Sequence, residues 1–126
     1  KSESYNQALI YSLNDAIENN NNEMLEKLIN SNSFKSSDNT LQALFYNILG
    51  NYYLNIDNDE AASYYDKAIN TTDVEAHRHQ FTLNLLHYYY ESNNFSDYKD
   101  LLETVDVDNI KSFQLKGKFE QLPAVN

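Results

Sequence analysis

Apolar residues recur along this chain at three- and four-residue spacings, in blocks separated at regular intervals by runs of Asn, Ser and Asp. That spacing marks one buried face of an α-helix, and it predicts seven helices. The first runs over residues 3–18, with Tyr5, Leu9, Leu13, Ala16 and Ile17 on one face, and the Asn19-Asn20-Asn21-Asn22 run ends it. A short second helix over 23–30 carries Met24, Leu25, Leu28 and Ile29. The polar stretch 31–39, interrupted only by Phe34, reads as a hinge candidate. The third helix, 40–55, has Leu41, Leu44, Phe45, Ile48, Leu49, Tyr52 and Tyr53, a stripe wide enough to be covered on two sides.

Asp57, Asn58 and Asp59 supply a cap and negative charge at the positive end of a fourth helix, 59–70, which packs through Ala61, Ala62, Tyr65, Ala68 and Ile69. A fifth helix is expected to start at Asp73 as its cap and run to about Ser92 through Val74, Phe81, Leu85, Leu86, Tyr88 and Tyr89. Asn93 and Asn94 break it before a sixth over 95–103. A seventh, 108–120, is expected to be interrupted at Gly117.

The helices alternate long and short three times, which calls for a test of internal repetition. One constant offset superposes Leu9 and Leu13 on Leu49 and Tyr53, and Leu25, Leu28 and Ile29 on Tyr65, Ala68 and Ile69. A similar offset carries Leu49 and Tyr53 onto Leu85 and Tyr89. The middle unit has Tyr46, Leu49-Gly50 and Tyr53 on one helix, then Ala61, Tyr65 and Ala68 on the next. In this it resembles a tetratricopeptide repeat (TPR), in which a glycine and an alanine let two helices approach while aromatics fill the space around them. The resemblance implies an all-α, TPR-like stack of about three antiparallel helical hairpins with a C-terminal capping helix. The third unit departs from the pattern, with Leu86 in place of the glycine and Tyr98 in place of an alanine; the first keeps only apolar positions.

Composition sharpens the picture. At 126 residues and 14.7 kDa the chain is sized for a single domain, and two glycines and one proline leave little for the tight turns of an all-β fold. Because it opens on Lys1 rather than Met, residues 1–126 are expected to be one helical-repeat domain of a longer protein. Nineteen acidic against nine basic residues give a net charge of −10, which repels nucleic-acid phosphates and anionic lipid surfaces. The absence of cysteine excludes disulfides and thiolate metal sites and fits a reducing compartment, so a cytoplasmic location is expected. No apolar run reaches the roughly 18 residues that span a bilayer.

The chemistry of catalysis is not written in the sequence. Phosphate-cradling glycine loops, a nucleophile elbow and an HExxH metal motif are all missing. His77 and His79 sit two residues apart on a helix, pointing about 200° away from each other, so they cannot share a metal ion. The run from Asp57 to Glu60 lacks the glycine and terminal glutamate of a calcium loop and reads as helix capping. Tyr52-Tyr53 and Tyr88-Tyr89-Tyr90 have no interleaved Lys or Arg, so they read as core and rim rather than as base-stacking platforms. A noncatalytic role is expected, without cofactor or metal; a cleft holding two carboxylates of unlike acidity would be the sign of an acid hydrolase.

The TPR resemblance implies an inner face lined by the first helix of each pair. Projected there are Gln7, Tyr11 and Asn14 from the first helix, Leu44, Asn47, Asn51 and Leu54 from the third, and Gln80, Leu83, Asn84, His87 and Tyr90 from the fifth. Amides dominate. Asn47 and Asn51 lie one turn apart, each offering an acceptor and donors to the C=O and N–H groups of an extended backbone. Asparagine inside a helix is unfavourable, so these positions call for a reason.

The expected ligand is therefore a short peptide or protein segment, with Tyr11, His87 and Tyr90 shaping pockets for its side chains. With no Lys or Arg on this face, capture of a chaperone's C-terminal carboxylate, as in one TPR subclass, is disfavoured. The amide-lined face is similar to the peptide-sensing C-terminal domains of bacterial Rgg/PlcR-type transcriptional regulators. That likeness implies a DNA-binding segment before Lys1, with no direct nucleic-acid contact by this stretch. The rival expectation is an assembly scaffold whose groove is empty or filled by the chain's own residues 121–126. Exposed aromatics make a homodimer an expectation under either reading.

Overall fold

The computed structural model describes residues 2–126, which among them form seven α-helices and no strand. They are α1 (Glu3–Glu18), α2 (Asn22–Ser31), α3 (Asn39–Tyr53), α4 (Asn58–Thr71), α5 (Glu75–Glu91), α6 (Phe95–Glu103) and α7 (Phe113–Glu120). Local side chains start most of them. Ser2 Oγ accepts the Tyr5 N–H at 3.2 Å, and Asn21 Oδ1 accepts that of Met24 at 3.1 Å. Asp38 Oδ1 accepts from Thr40 at 2.8 Å and Leu41 at 3.3 Å, and Asp57 Oδ1 from Glu60 at 3.2 Å. Each satisfies amide groups that have no partner within their own helix.

Two asparagines end α1 and α5. Asn20 (φ 51°) and Asn93 (φ 61°) adopt the left-handed conformation usually left to glycine. The following amides then reach back, Asn21 to the Ala16 carbonyl and Asn94 to the Tyr89 carbonyl, both at 2.8 Å. These are Schellman closures, and with so few glycines in the chain asparagine is what makes them.

The helices stack as pairs, α1 with α2, α3 with α4 and α5 with α6. Neighbouring pairs are joined because α4 packs on both α3 and α5, while α1 rests on α3 and α7 on α5. Leu9, Ile10, Leu13 and Ala16 of α1 meet Leu25 and Ile29 of α2 and Phe45, Ile48 and Leu49 of α3 in one apolar cluster. Ala61 and Tyr65 of α4 meet Leu85 of α5, and Ala68 lies between Ala43 and Phe81. At the far end Leu83, Leu86 and Tyr98 close against Ile110 and Phe119. The fold is thus an all-α stack of helical pairs capped by α7.

The tightest approach is at Gly50. A Cβ there would lie 2.7 Å from the Tyr65 ring, so the absence of a side chain is what admits that ring between α3 and α4. Gly50 and Ala61 are both buried, as the sequence suggested, but the partner that requires the glycine is Tyr65.

Three local expectations are corrected. Asp73 does not cap α5: the cap position is Val74, without a side-chain bond, and the Asp73 carboxylate instead accepts from Asn39 Nδ2 at 3.1 Å, tying that loop to the start of α3. Arg78 of α5 donates to the Ile69 and Thr72 carbonyls at the end of α4. The seventh helix is not continuous over 108–120. A 3-10 turn (Val107–Asn109) is followed by a break around the buried Ile110, and α7 restarts with Ser112 accepting the Leu115 N–H. Gly117 lies inside α7 with no interruption, a Cβ there meeting nothing within 4 Å.

The third correction concerns the 31–39 stretch, which is fastened rather than hinge-like. Gln42, buried in α3, donates to the Phe34 carbonyl at 2.9 Å and accepts the Ser36 N–H at 2.8 Å. Asn6 donates to the Lys35 carbonyl, Ser36 Oγ donates to Glu3, and the Phe34 ring packs on Phe45. Removing a buried group with two such bonds costs about 1–2 kcal/mol. Gln42→Ala is expected to lower stability by that much in urea denaturation, with faster amide exchange confined first to residues 34–36.

Candidate functional site

α3, α4 and α5 enclose an open cavity of about 520 Å3. The end of α3 supplies Asn51, with Leu54 and Asn55 just after it; α4 supplies Asn58 and Tyr65; the second half of α5 supplies Asn84, His87, Tyr88 and Glu91. Helical geometry explains the α5 set, because positions 84, 88 and 91 fall on one line at i, i+4 and i+7.

The amides are linked to one another. Gln80 Nε2 donates to Asn84 Oδ1 at 3.2 Å, and Asn84 Nδ2 donates across the seam to Asn47 Oδ1 at 2.9 Å. One turn further along α3, Asn51 Oδ1 accepts the Tyr65 hydroxyl at 2.6 Å. Burial raises the Tyr65 pKa well above that of an ordinary tyrosine, so this hydroxyl stays protonated and remains a donor.

A second cavity of about 350 Å3 adjoins the first at Asn84 and His87. Gln80 and Leu83 of α5 face Lys118 of α7 and the tail residues Gln121, Leu122 and Pro123 across it. The tail is held there by the Tyr98 hydroxyl, which donates to the Pro123 carbonyl at 2.6 Å, and by Leu122 and Val125 packing on the α5–α6 cluster. The groove margin therefore does carry a cation, Lys118, contrary to the expectation from the inner helices alone. It comes from α7, which the projection left out.

Of the residues projected from sequence, the structure brings Asn47, Asn51, Gln80, Asn84 and His87 together at this seam. Leu54 joins them as lining. Leu44 packs into the apolar clusters around α3, and Leu83 is buried against Tyr98 and Phe119 while its edge touches the second cavity. Tyr90 points to the other side of α5, its ring 5.6 Å from both Phe95 and Tyr98; Tyr88 takes the wall position instead. Gln7, Tyr11 and Asn14 are exposed on α1, Tyr11 at 77%, and line neither cavity. Periodicity does not mark Tyr65, Asn58 and Lys118 as lining, because they sit outside the first helix of each pair, and Tyr65 reads as plain core.

The histidines follow separate paths. His79 Nε2 lies 3.3 Å from Glu75 and its ring meets Phe119, whereas the His77 ring rests against Phe81. Among the described residues no group of three or more His, Asp or Glu side chains is placed to hold a metal ion, and no helix is long and apolar enough to cross a membrane. No protein family, no curated protein and no solved structure matches this chain. The functional reading therefore stands on the geometry of the groove.

Proposed function

We propose that this chain is a noncatalytic peptide-binding module of TPR-like build, serving as the ligand-sensing domain of a cytoplasmic, peptide-responsive transcriptional regulator similar to the Rgg/PlcR type of bacteria. The observation that carries the reading is the cluster of helix-borne amides, Asn51 and Asn84 with Asn47 and Gln80 behind them, at an open cavity walled by Tyr65 and Tyr88. Amide groups bind a peptide backbone independently of side-chain charge, and the half-buried Tyr88 offers apolar contact area at little entropic cost. A cavity of about 520 Å3 is of the size that takes a few residues of extended chain.

A random hexapeptide pool, titrated against the wild type and the Asn47→Ala/Asn51→Ala double variant, tests this. Loss of the Asn51 contact and of the Asn47 oxygen that holds Asn84 in place, at about 1 kcal/mol each, is expected to weaken retained peptides by tenfold or more. Unchanged binding by a double variant with an intact circular-dichroism spectrum would refute the groove assignment.

A second reading, an assembly scaffold with a self-filled groove, draws support from the tail lying against α5 beside Lys118. The tail covers only the Gln80–His87 end and is absent from the lining around Asn51, which favours the peptide reading.

A further inference from the structure

The amide network has a direction. The oxygens of Asn47, Asn51 and Asn84 are each engaged from within the protein, by Asn84 Nδ2, the Tyr65 hydroxyl and Gln80 Nε2 respectively. An amide group is planar, so an oxygen held against an internal donor turns its NH2 away from that donor. Asn51 is exposed and keeps both N–H groups free, and Asn84 keeps one. Lys118, an ammonium group with three donors and no acceptor, extends the line into the adjoining cavity. Of the acceptors that line the main cavity, the Glu91 carboxylate, the His87 ring and the amides of Asn55 and Asn58 are exposed.

We infer that the seam from Asn51 across Asn84 to Lys118 is a one-sided hydrogen-bond donor array: it reads the carbonyl edge of a bound peptide backbone and leaves the peptide's N–H groups unread. This rests on the peptide reading above and adds a ligand class to it. The preferred ligand is an extended segment whose N–H groups need no partner, so proline or an N-alkylated residue is accepted opposite Asn51. Tyr65 is the positioning residue. Its hydroxyl fixes which edge of Asn51 faces the groove, without touching the ligand.

The test uses the hexapeptide retained most strongly from the random pool, remade with single backbone replacements. An ester keeps the carbonyl and removes the N–H; an (E)-alkene removes both. Esters through the central positions are expected to cost threefold or less, whereas the alkene at the position facing Asn51 costs tenfold or more. Asn51→Asp keeps an oxygen for Tyr65 but turns the groove-facing donors into an acceptor, and is expected to weaken the parent peptide at least tenfold. Tyr65→Phe frees the Asn51 oxygen, so the ester penalty at that position should rise above the threefold limit expected for the wild type. If esters cost as much as alkenes throughout while Asn47→Ala/Asn51→Ala still abolishes binding, the one-sided array is overturned and peptide binding stands. If no hexapeptide is retained, both fall.

Discussion

Gly50→Val is expected to prevent folding at ordinary temperature, and Gly50→Ala to destabilise the protein by about 2 kcal/mol, although alanine is the better helix former by about 1 kcal/mol. A Cβ at this position would lie 2.7 Å from two atoms of the Tyr65 ring, well inside any van der Waals contact. The ring has little room to retreat: it is almost fully buried against Ala61 and Leu85, and its hydroxyl is held by Asn51. Relief therefore means prising α4 off α3 or breaking the Tyr65–Asn51 bond, and valine adds two methyl groups to the same clash. Urea denaturation of Gly50→Ala, alone and combined with Tyr65→Leu, checks the mechanism. The combined variant should recover part of the loss, because the smaller side chain vacates the disputed space. A Gly50→Ala protein as stable as the wild type would mean that the two helices do not meet as described. Because the same tyrosine orients Asn51, the alanine variant should also lose peptide affinity under conditions where it remains folded.

Much of this arrangement is legible in the chain because it depends on local causes. The apolar stripes of α1 and α6 place those helices at 3–18 and 95–103, and the boundaries match since Ser2 and the asparagine runs act within a turn of them. Where partners are remote in sequence, reading fails. Asp73 looks like a cap by composition, yet Asn39, 34 residues away, takes its carboxylate. The 31–39 stretch looks loose, yet Gln42, Asn6 and Glu3 fasten it from two helices. Gly117 looks like a breaker because glycine is a poor helix former, but the interruption falls earlier, where Ile110 turns inward to meet the α5–α6 core.

The site divides along the same line. Asn47, Asn51 and Asn84 could be found because asparagine in the interior of a helix is costly without a purpose, and periodicity puts the first two one turn apart. That their oxygens are occupied by Tyr65, Asn84 and Gln80 could not, because rotamer and partner are set by packing between α3, α4 and α5. Tyr88 and Tyr90 differ by two residues, about 200° around the helix, and only the position of α6 decides which of them faces the groove.

Tyr98→Ala is expected to cost about 3–5 kcal/mol, the range for deleting a buried aromatic side chain, and to release the C-terminal segment. The Tyr98 ring is almost fully buried among Leu83, Leu86, Ile110 and Phe119, so its loss opens a cavity where α5, α6 and the cap converge. Its hydroxyl donates at 2.6 Å to Pro123, which anchors the tail whose Leu122 and Val125 complete that cluster. Tyr98→Phe separates the two contributions. It keeps the ring and removes one hydrogen bond to a carbonyl of an exposed residue that water can reach, so about 1 kcal/mol is expected. Urea denaturation gives the two energies, and amide exchange gives their location: in Tyr98→Phe faster exchange should be confined to residues 121–126, whereas in Tyr98→Ala it should spread through α6 and α7. Equal losses for both variants would place the stabilisation in the bond rather than in the packed ring. Since Lys118, Leu122 and Pro123 form one wall of the second cavity, the phenylalanine variant also reports how far a bound peptide extends. A ligand confined to the Asn51 end should bind it as it binds the wild type, and one that reaches past Asn84 should bind more weakly.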